Sequence, residues 1–260
     1  MRKLHVCSLP NLPLRAQPTH QSEMVHQLLF GEAYELLEQQ GSWYKIRVLQ
    51  DRYEGWVSLM QAPRALNEPE TNHYLERRLY ISQTLNLNLS FGAFIFRVPM
   101  GSVLPEVAFD KSQFLGQPIK VQDPKNWVRI RESKRLPVQL VQQFLGAPYL
   151  WGGRTLNGVD CSGLVQVVFR VCGKDLPRDA SQQIEAGKPV KHFKDLKAGD
   201  LVFFTETTDR VSHVGIAQGS GKIIHASFFV HNDDLSQEGI INASTRQLTH
   251  HLAGIRRISS

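Results

Sequence analysis

Near residue 133 the hydrophobic pattern of this 260-residue chain changes period, and that change divides what the chain can fold into. Before it, AYELLEQQ, WYKIRVLQ and EGWVSLM are separated by the turn-like QGS and DRYEG, at the regular spacing of a small β-barrel. In WYKIRV, Tyr44, Ile46 and Val48 alternate with Trp43, Lys45 and Arg47, so one face can bury while the other stays wet. Residues 1–62 therefore read as a small all-β domain, with Trp43 and Trp56 as barrel core. The polar stretch 61–80, with two prolines, reads as a linker. FGAFIFRV, QPIKVQ and WVRI then predict a second small β unit within 75–130, interrupted by an irregular insert around PMGSVLPEVAFDKSQ.

After residue 133 the texture is different. VQLVQQFLG places Val138, Val141, Phe144 and Leu145 on one helical face and stops at Gly146. In CSGLVQVVFRVCG, Leu164, Val165, Val168, Val171 and Cys172 recur at helical spacing, and Gly173 closes the segment. GDLVFFT, VSHVGIAQ, KIIHASF and GIINAS then predict antiparallel strands. Helices first and strands after make residues 133–260 an α+β domain.

Composition narrows the function classes. The net charge of +6 comes without a basic stripe interleaved with aromatics, which argues against nucleic-acid binding. No segment approaches the roughly 20 apolar residues that span a bilayer, so no membrane insertion is expected. The start, MRKLHVCSLPNLPLR, lacks the apolar core of a secretory signal, and the expected location is cytoplasmic. Three cysteines, Cys7, Cys161 and Cys172, are too few for a disulfide framework and read as reduced thiols. Nothing in the pattern calls for a cofactor or indicates an oligomeric state.

Cys161 opens its helix directly after the glycine-rich loop YLWGGRTLNGVD. There the free N–H groups and the positive dipole end favour thiolate and could hold an oxyanion. Gly152, Gly153, Gly158 and Gly163 would let a substrate backbone approach closely. The plainer alternative is that Cys161 packs, as most cysteines do and as Cys172 on the apolar face is expected to. A nucleophile needs a base, and a hairpin centred on Gly219 would set His213 directly opposite His225 on one face, within imidazole reach. One ring can then be the base and the other its orienter. A pair of half-buried sheet histidines is the alternative. Zinc is disfavoured because only two histidines share the face, and HHL at 250–252 reads as surface.

YLWGG, DCSGLVQ, LPRDASQQ, KAGDLVFF and SHVGIAQGSGKIIHAS, in this order over about residues 135–257, resemble the NlpC/P60 family of papain-like cysteine peptidases. The resemblance implies a papain-like fold with Cys161 as nucleophile, His213 as general base, His225 as third member and Tyr149 near the oxyanion site. LRAQPTHQSEMVHQLLFGE and YEGWV resemble a bacterial SH3 domain, so the α+β domain would be preceded by one or two SH3-like barrels. That combination resembles the branch that cleaves γ-D-glutamyl–diamino acid bonds in peptidoglycan stem peptides bearing a free N-terminal L-alanine. Carried over, Glu23, Tyr53 and Asp160 would hold the free amine, and Ser162, Arg178, Asp179 and Ser181 would contact the D-glutamate region. Asp160 could equally be a simple helix N-cap, and Glu23 and Tyr53 solvated barrel residues.

The implied function is a metal-free endopeptidase acting on recycled muropeptides. The alternatives are a secreted hydrolase of intact peptidoglycan and a non-catalytic wall-binding protein.

Overall fold

The computed structural model describes residues 3–61, 64–133, 135–205 and 210–258. The chain packs as two compact units, Met1–Ser133 and Lys134–Ser260. The expected domain limits at 1, 62 and 260 lie outside the described residues.

In the first unit a seven-stranded sheet runs in the order Met24–Leu29, Asn11–Arg15, Glu54–Ser58, Trp43–Val48, Ala33–Gln40, Leu4–Val6, Arg64–Ala65. Its core gathers Cys7, Leu12, Leu14, Leu28, Tyr34, Ile46, Val48 and Val57. The alternation in WYKIRV holds at Ile46 and Val48, which are buried. Trp43, on the opposite face, is buried as well, with the His20 ring edge-on at 4.8 Å.

Residues 61–80 are not a linker. Arg64–Ala65 pairs with Leu4–Val6, and a helix follows over Glu68–Leu75. Asn67 caps that helix: its side-chain oxygen accepts the Glu70 N–H at 2.9 Å, and the Glu70 carboxylate accepts the Asn67 N–H at 3.1 Å. Pro69 sits in the first turn, where a missing N–H does no harm, so proline here starts a helix. Residues 62 and 63 of this stretch lie outside the described set.

The middle β unit builds two small sheets. One runs Phe94–Pro99, Asn86–Phe91, Gln117–Val121, Gln113–Phe114, and the other Val103–Pro105, Leu79–Ser82, Trp127–Arg129. The insert expected to be irregular contains a strand, Val103–Pro105, and a short helix, Glu106–Lys111. This unit shares a core with the first barrel. The Phe30 ring lies 5.9, 5.5 and 6.1 Å from those of Phe91, Phe96 and Phe114. Val103 N–H donates to Phe30 O at 2.9 Å, and Tyr74 Oη donates to Gly31 O at 2.6 Å. A Cβ at Gly31 would fall 1.7 Å from Val103 O, so the two backbones meet only because that residue is glycine.

In the second unit the helix Pro137–Val141 tightens into a 3-10 turn over Gln142–Phe144. The tighter winding rotates the expected apolar face: Leu140, Val141 and Phe144 are buried, Val138 is half-buried and Leu145 is exposed. The helix Cys161–Val171 is buried at every residue, packed on the strands His213–Gly219 and Lys222–Ser227. Cys172 is its C-cap and only half-buried, so it lies outside the packed face that the helical spacing assigned to it.

The sheet runs Lys188–Pro189, Leu248–Arg257, Leu201–Thr205, His213–Gly219, Lys222–Ser227, Phe229–Leu235, Gly239–Ile241. Leu248–Arg257 also pairs with Gly239–Ile241, which closes the sheet around Val202, Phe204, Ala217, Ile223, Leu235, Ile240 and Ile255. Among the described residues no helix is long and apolar enough to cross a membrane.

Candidate active site

The helix Cys161–Val171 is capped by Asp160, whose extended backbone leaves its carboxylate free to cap. Asp160 Oδ1 accepts from Gly163 N at 2.7 Å, from Arg178 Nη1 at 3.0 Å and from Ser162 Oγ at 3.3 Å. Its Oδ2 accepts from Gly152 N at 2.8 Å and from Arg178 Nη2. Both partners of this bidentate pair are buried, Asp160 at 4% exposure and Arg178 at 2%. Arg178 Nη1 also donates to Ser162 Oγ at 2.8 Å. Gln183 Nε2 donates to Ser162 O at 3.0 Å and to Pro177 O at 2.8 Å. Of the residues the resemblance implies for substrate contact, the structure thus brings Asp160, Ser162 and Arg178 together, and their polar atoms bond one another.

The loop glycines serve the chain's own packing. A Cβ at Gly163 would meet Gly153 O at 2.3 Å, and one at Gly153 would meet Gly158 O at 2.4 Å. Tyr149 is half-buried, with its N–H on Phe228 O. Asp179 and Ser181 are half-buried at the start of the short helix Ala180–Gln183. In the other unit, Glu23 is exposed and Tyr53 is half-buried, its ring 5.2 Å from that of His26 and packed on the barrel core.

His213 and His225 share a face, but not as a directly opposed pair. The ladder sets Gly215 across from His225, Ile216 across from Ile224 and Ala217 across from Ile223. A bulge at Gln218 follows, and the turn residues Ser220 and Gly221 both have positive φ, the signature of a two-residue hairpin loop. Relative to a hairpin centred on Gly219, the pairing has therefore moved by two residues. An even shift leaves side chains on the same face. His213 Nε2 lies 2.8 Å from His225 Nδ1, across a diagonal.

The line continues into the next strand. His225 Nε2 lies 3.2 Å from Asp233 Oδ2, and Asp233 Oδ1 accepts the Ala243 N–H at 2.9 Å. A carboxylate only accepts, so the His225 proton sits on Nε2 and its Nδ1 is bare. That bare nitrogen accepts the His213 Nε2 proton, which leaves His213 Nδ1 without a proton. Hydrogen bonds from the Val214 and Ser162 backbones reach the Cys161 thiol, which places it at the start of the strand that carries His213.

Sequence reasoning missed three members of this cluster. His231 pairs directly with His225 across the second hairpin, and its Nε2 lies 3.2 Å from Asp233 Oδ2. His250, expected at the surface, is buried, and its ring stacks on that of His213 with centroids 4.4 Å apart. The premise that only two histidines share this face therefore fails. Parity about Phe228 in KIIHASFFVHND, counted as it was about Gly219, would have found His231 and Asp233.

Burial sets the electrostatics. It pushes the Cys161 thiol up to about 12, reinforced by the Asp160 charge and opposed by the Val214 backbone, Arg178 and Ser162. That direction is opposite to the thiolate-favouring one expected of a helix start, at a thiol only 7% exposed beside a carboxylate. Burial, followed by the neighbouring His225, His250 and His231, holds His213 well below 6.5. Burial also lowers His225 against the pull of Asp233. Burial pushes Asp233 up, but His225, the Ala243 N–H and His231 together hold it below the usual carboxylate range.

An NlpC/P60 family model matches residues 146–252, and a bacterial dipeptidyl-peptidase Sh3 domain model matches residues 14–61. The chain is 32% identical over 220 residues to a gamma-D-glutamyl-L-lysine dipeptidyl-peptidase of Bacillus subtilis (strain 168), covering 77% of this chain and 71% of that protein. It is 25% identical over 233 residues to a protein of the same description from Bacillus cereus, covering 80% and 68%. A solved NlpC/P60 family protein from Bacillus cereus ATCC 10987 superposes with a TM-score of 0.79 at 19% identity, over 98% of this chain and 99% of the other, and so shares the fold.

Proposed function

This chain belongs to the NlpC/P60 family and is a cysteine peptidase related to peptidoglycan hydrolysis, and we propose that it cleaves the γ-D-glutamyl–diamino acid bond of stem peptides whose N-terminal L-alanine is free. The observation that supports the chemistry is the unbroken line His213–His225–Asp233, with the Cys161 thiol reached by the backbone of Val214, the residue next to His213. The bond assignment is supported by the activity named for the two Bacillus relatives.

In the proposed reaction His213 Nδ1 takes the Cys161 proton, and the thiolate sulfur attacks the γ-carbonyl carbon of D-glutamate. The oxyanion is held by the Cys161 N–H at the helix start and by Tyr149. Collapse breaks the C–N bond, and His213 returns its proton to the departing diamino-acid amine. Water then attacks the thioester with His213 as base again, releasing the dipeptide and the free thiol. The substrates we propose are soluble muropeptide fragments undergoing recycling.

The test is mass spectrometry of products from L-Ala-γ-D-Glu-L-Lys and its N-acetyl form, with wild type and Cys161→Ala. L-Ala-D-Glu plus lysine, formed by wild type only and from the free-amine peptide at least about a hundredfold faster, is the expected result. Glu23→Gln and Tyr53→Phe, at the two positions the resemblance implicates in amine recognition, are expected to narrow that preference. Equal rates on both peptides remove the free-amine requirement, and faster release from intact sacculi than from fragments removes the recycling role.

A further inference from the structure

We propose that His225, His231 and Asp233 form a binding site for a divalent transition-metal cation, Zn2+, whose occupancy switches the thiol chemistry off. The regulatory half of this inference rests on Cys161 and His213 being nucleophile and base. The binding half does not.

His225 and His231 face each other directly across neighbouring strands, and Asp233 lies two residues further along on the same face. Their ligand atoms all lie within 4.8 Å of one another, with Asp233 Oδ2 at 3.2 Å from both His225 Nε2 and His231 Nε2. Zinc bonds of about 2.0–2.2 Å to nitrogen and carboxylate oxygen let one ion bridge donor atoms at such separations after a small closure. The supporting contacts are in place: Asp233 Oδ1 accepts the Ala243 N–H, and His231 Nδ1 lies 2.8 Å from Phe229 O. A ring nitrogen donating to a backbone carbonyl is the usual way to fix a ligating histidine.

That last contact carries the proposal furthest. A carbonyl oxygen only accepts, so the His231 proton is on Nδ1, and a neutral His231 turns a bare Nε2 lone pair toward Asp233 Oδ2. Two acceptors at 3.2 Å leave a place for a cation between them. His231 is half-buried while His225 and Asp233 are buried, so an ion has a way in from one side.

The consequence follows from tautomers. A neutral His225 that gives Nε2 to the ion must carry its proton on Nδ1. That N–H then points at His213 Nε2, which becomes the acceptor, and the His213 proton moves to Nδ1, facing the thiol. Each ring keeps one proton on its other nitrogen, and His213 can no longer take the proton of Cys161.

The experiment uses the full chain and Zn2+ itself. Calorimetric titration should find one zinc site in Cys161→Ala, of the same affinity as in wild type. Adding His231→Gln, which can keep a hydrogen bond but is no zinc ligand, should weaken that site by at least about tenfold. Zinc should also slow hydrolysis by wild type, reversibly with EDTA, and slow iodoacetamide alkylation of Cys161. Both effects, each measured against the variant's own metal-free rate, should be lost in His231→Gln. Zinc binding that disappears in Cys161→Ala, or survives His231→Gln unchanged, would overturn the site. Binding as predicted with no effect on alkylation would overturn the switch. A protein that binds zinc in this way yet hydrolyses no stem peptide leaves the site standing and removes the proposed substrate instead.

Discussion

Gly215 stands directly across the ladder from His225, and its missing Cβ is what opens the diagonal along which His213 reaches that ring. A Cβ there would lie 3.0 Å from His225 Cβ and 2.7 Å from Ile223 Cδ1. Ile223 can yield at the end of a flexible side chain, whereas the His225 Cβ moves only with its strand. Gly215→Ala is therefore expected to lower kcat by about tenfold or more while destabilising by about 1–3 kcal/mol, the usual range for overpacking. Steady-state kinetics and urea denaturation measure the two effects. An unchanged kcat would show that the diagonal contact does not need this clearance.

The thiols should separate by cause of reactivity. Cys161 is nearly enclosed and its thiol is pushed up to about 12, so its reactivity is expected to depend on a base, for which His213 is the candidate. Cys172 is half-buried and likewise raised to about 12, by burial alone. Iodoacetamide should label Cys161 fastest in wild type, and His213→Ala should slow that labelling at least about a hundredfold, the scale of general-base assistance, without changing Cys172. Peptide mapping by mass spectrometry gives both rates. Cys161→Ala should stay folded and hydrolyse nothing.

Asp160→Asn would be mild if Asp160 were only a cap, since asparagine caps about as well. The structure gives a different expectation. The Asp160 carboxylate pairs with a buried Arg178, and an amide would remove the charge and one of the two bonds that Asp160 accepts from it. Breaking a buried pair from one side destabilises by about 3–5 kcal/mol. Thermal and urea unfolding of Asp160→Asn should show that loss, and a change below about 1 kcal/mol, the scale of an exposed pair, would contradict it.

Acidification should act on activity late and on stability early. His213 is held well below 6.5 by burial first and then by His225, His250 and His231, so it remains an available base below that pH. The acid limb of kcat/KM is expected below 6.5. The unfolded chain binds protons at His213 and His225 from about 6.5 downward while the native state does not, so protons favour unfolding there. Stability is thus fullest above 6.5 and falls as the pH drops toward the depressed native values, with a smaller slope in His213→Asn. Kinetic pH profiles and denaturation at stepped pH test both signs.

Much of the site was legible because nucleophile chemistry leaves local marks: a glycine loop, an aspartate cap and a cysteine at the first helical position. The shared face of His213 and His225 was legible for a different reason. Strand parity survives an error of two in register, although the bulge at Gln218 and the turn at Ser220 and Gly221 hid the true pairing. His250 was not legible, because its place depends on which strands the closed sheet makes neighbours. The burial that raises Cys161 and lowers His213 comes from the same closure. The helix Glu68–Leu75 was legible in principle from Asn67, Pro69 and Glu70, and prolines read as linker composition obscured it.

The contact of Phe30 with Phe91, Phe96 and Phe114 has a consequence for how such chains can be dissected or recombined. The stretch 14–61 that matches a domain model is not an excisable cassette. Cut away from residues 66–133, it would turn a fully buried phenylalanine outward and strip Gly31 O of its Tyr74 hydroxyl. Grafts and truncations therefore have a natural seam near residue 133 rather than near 62, and the middle segment travels with the barrel as one inherited piece.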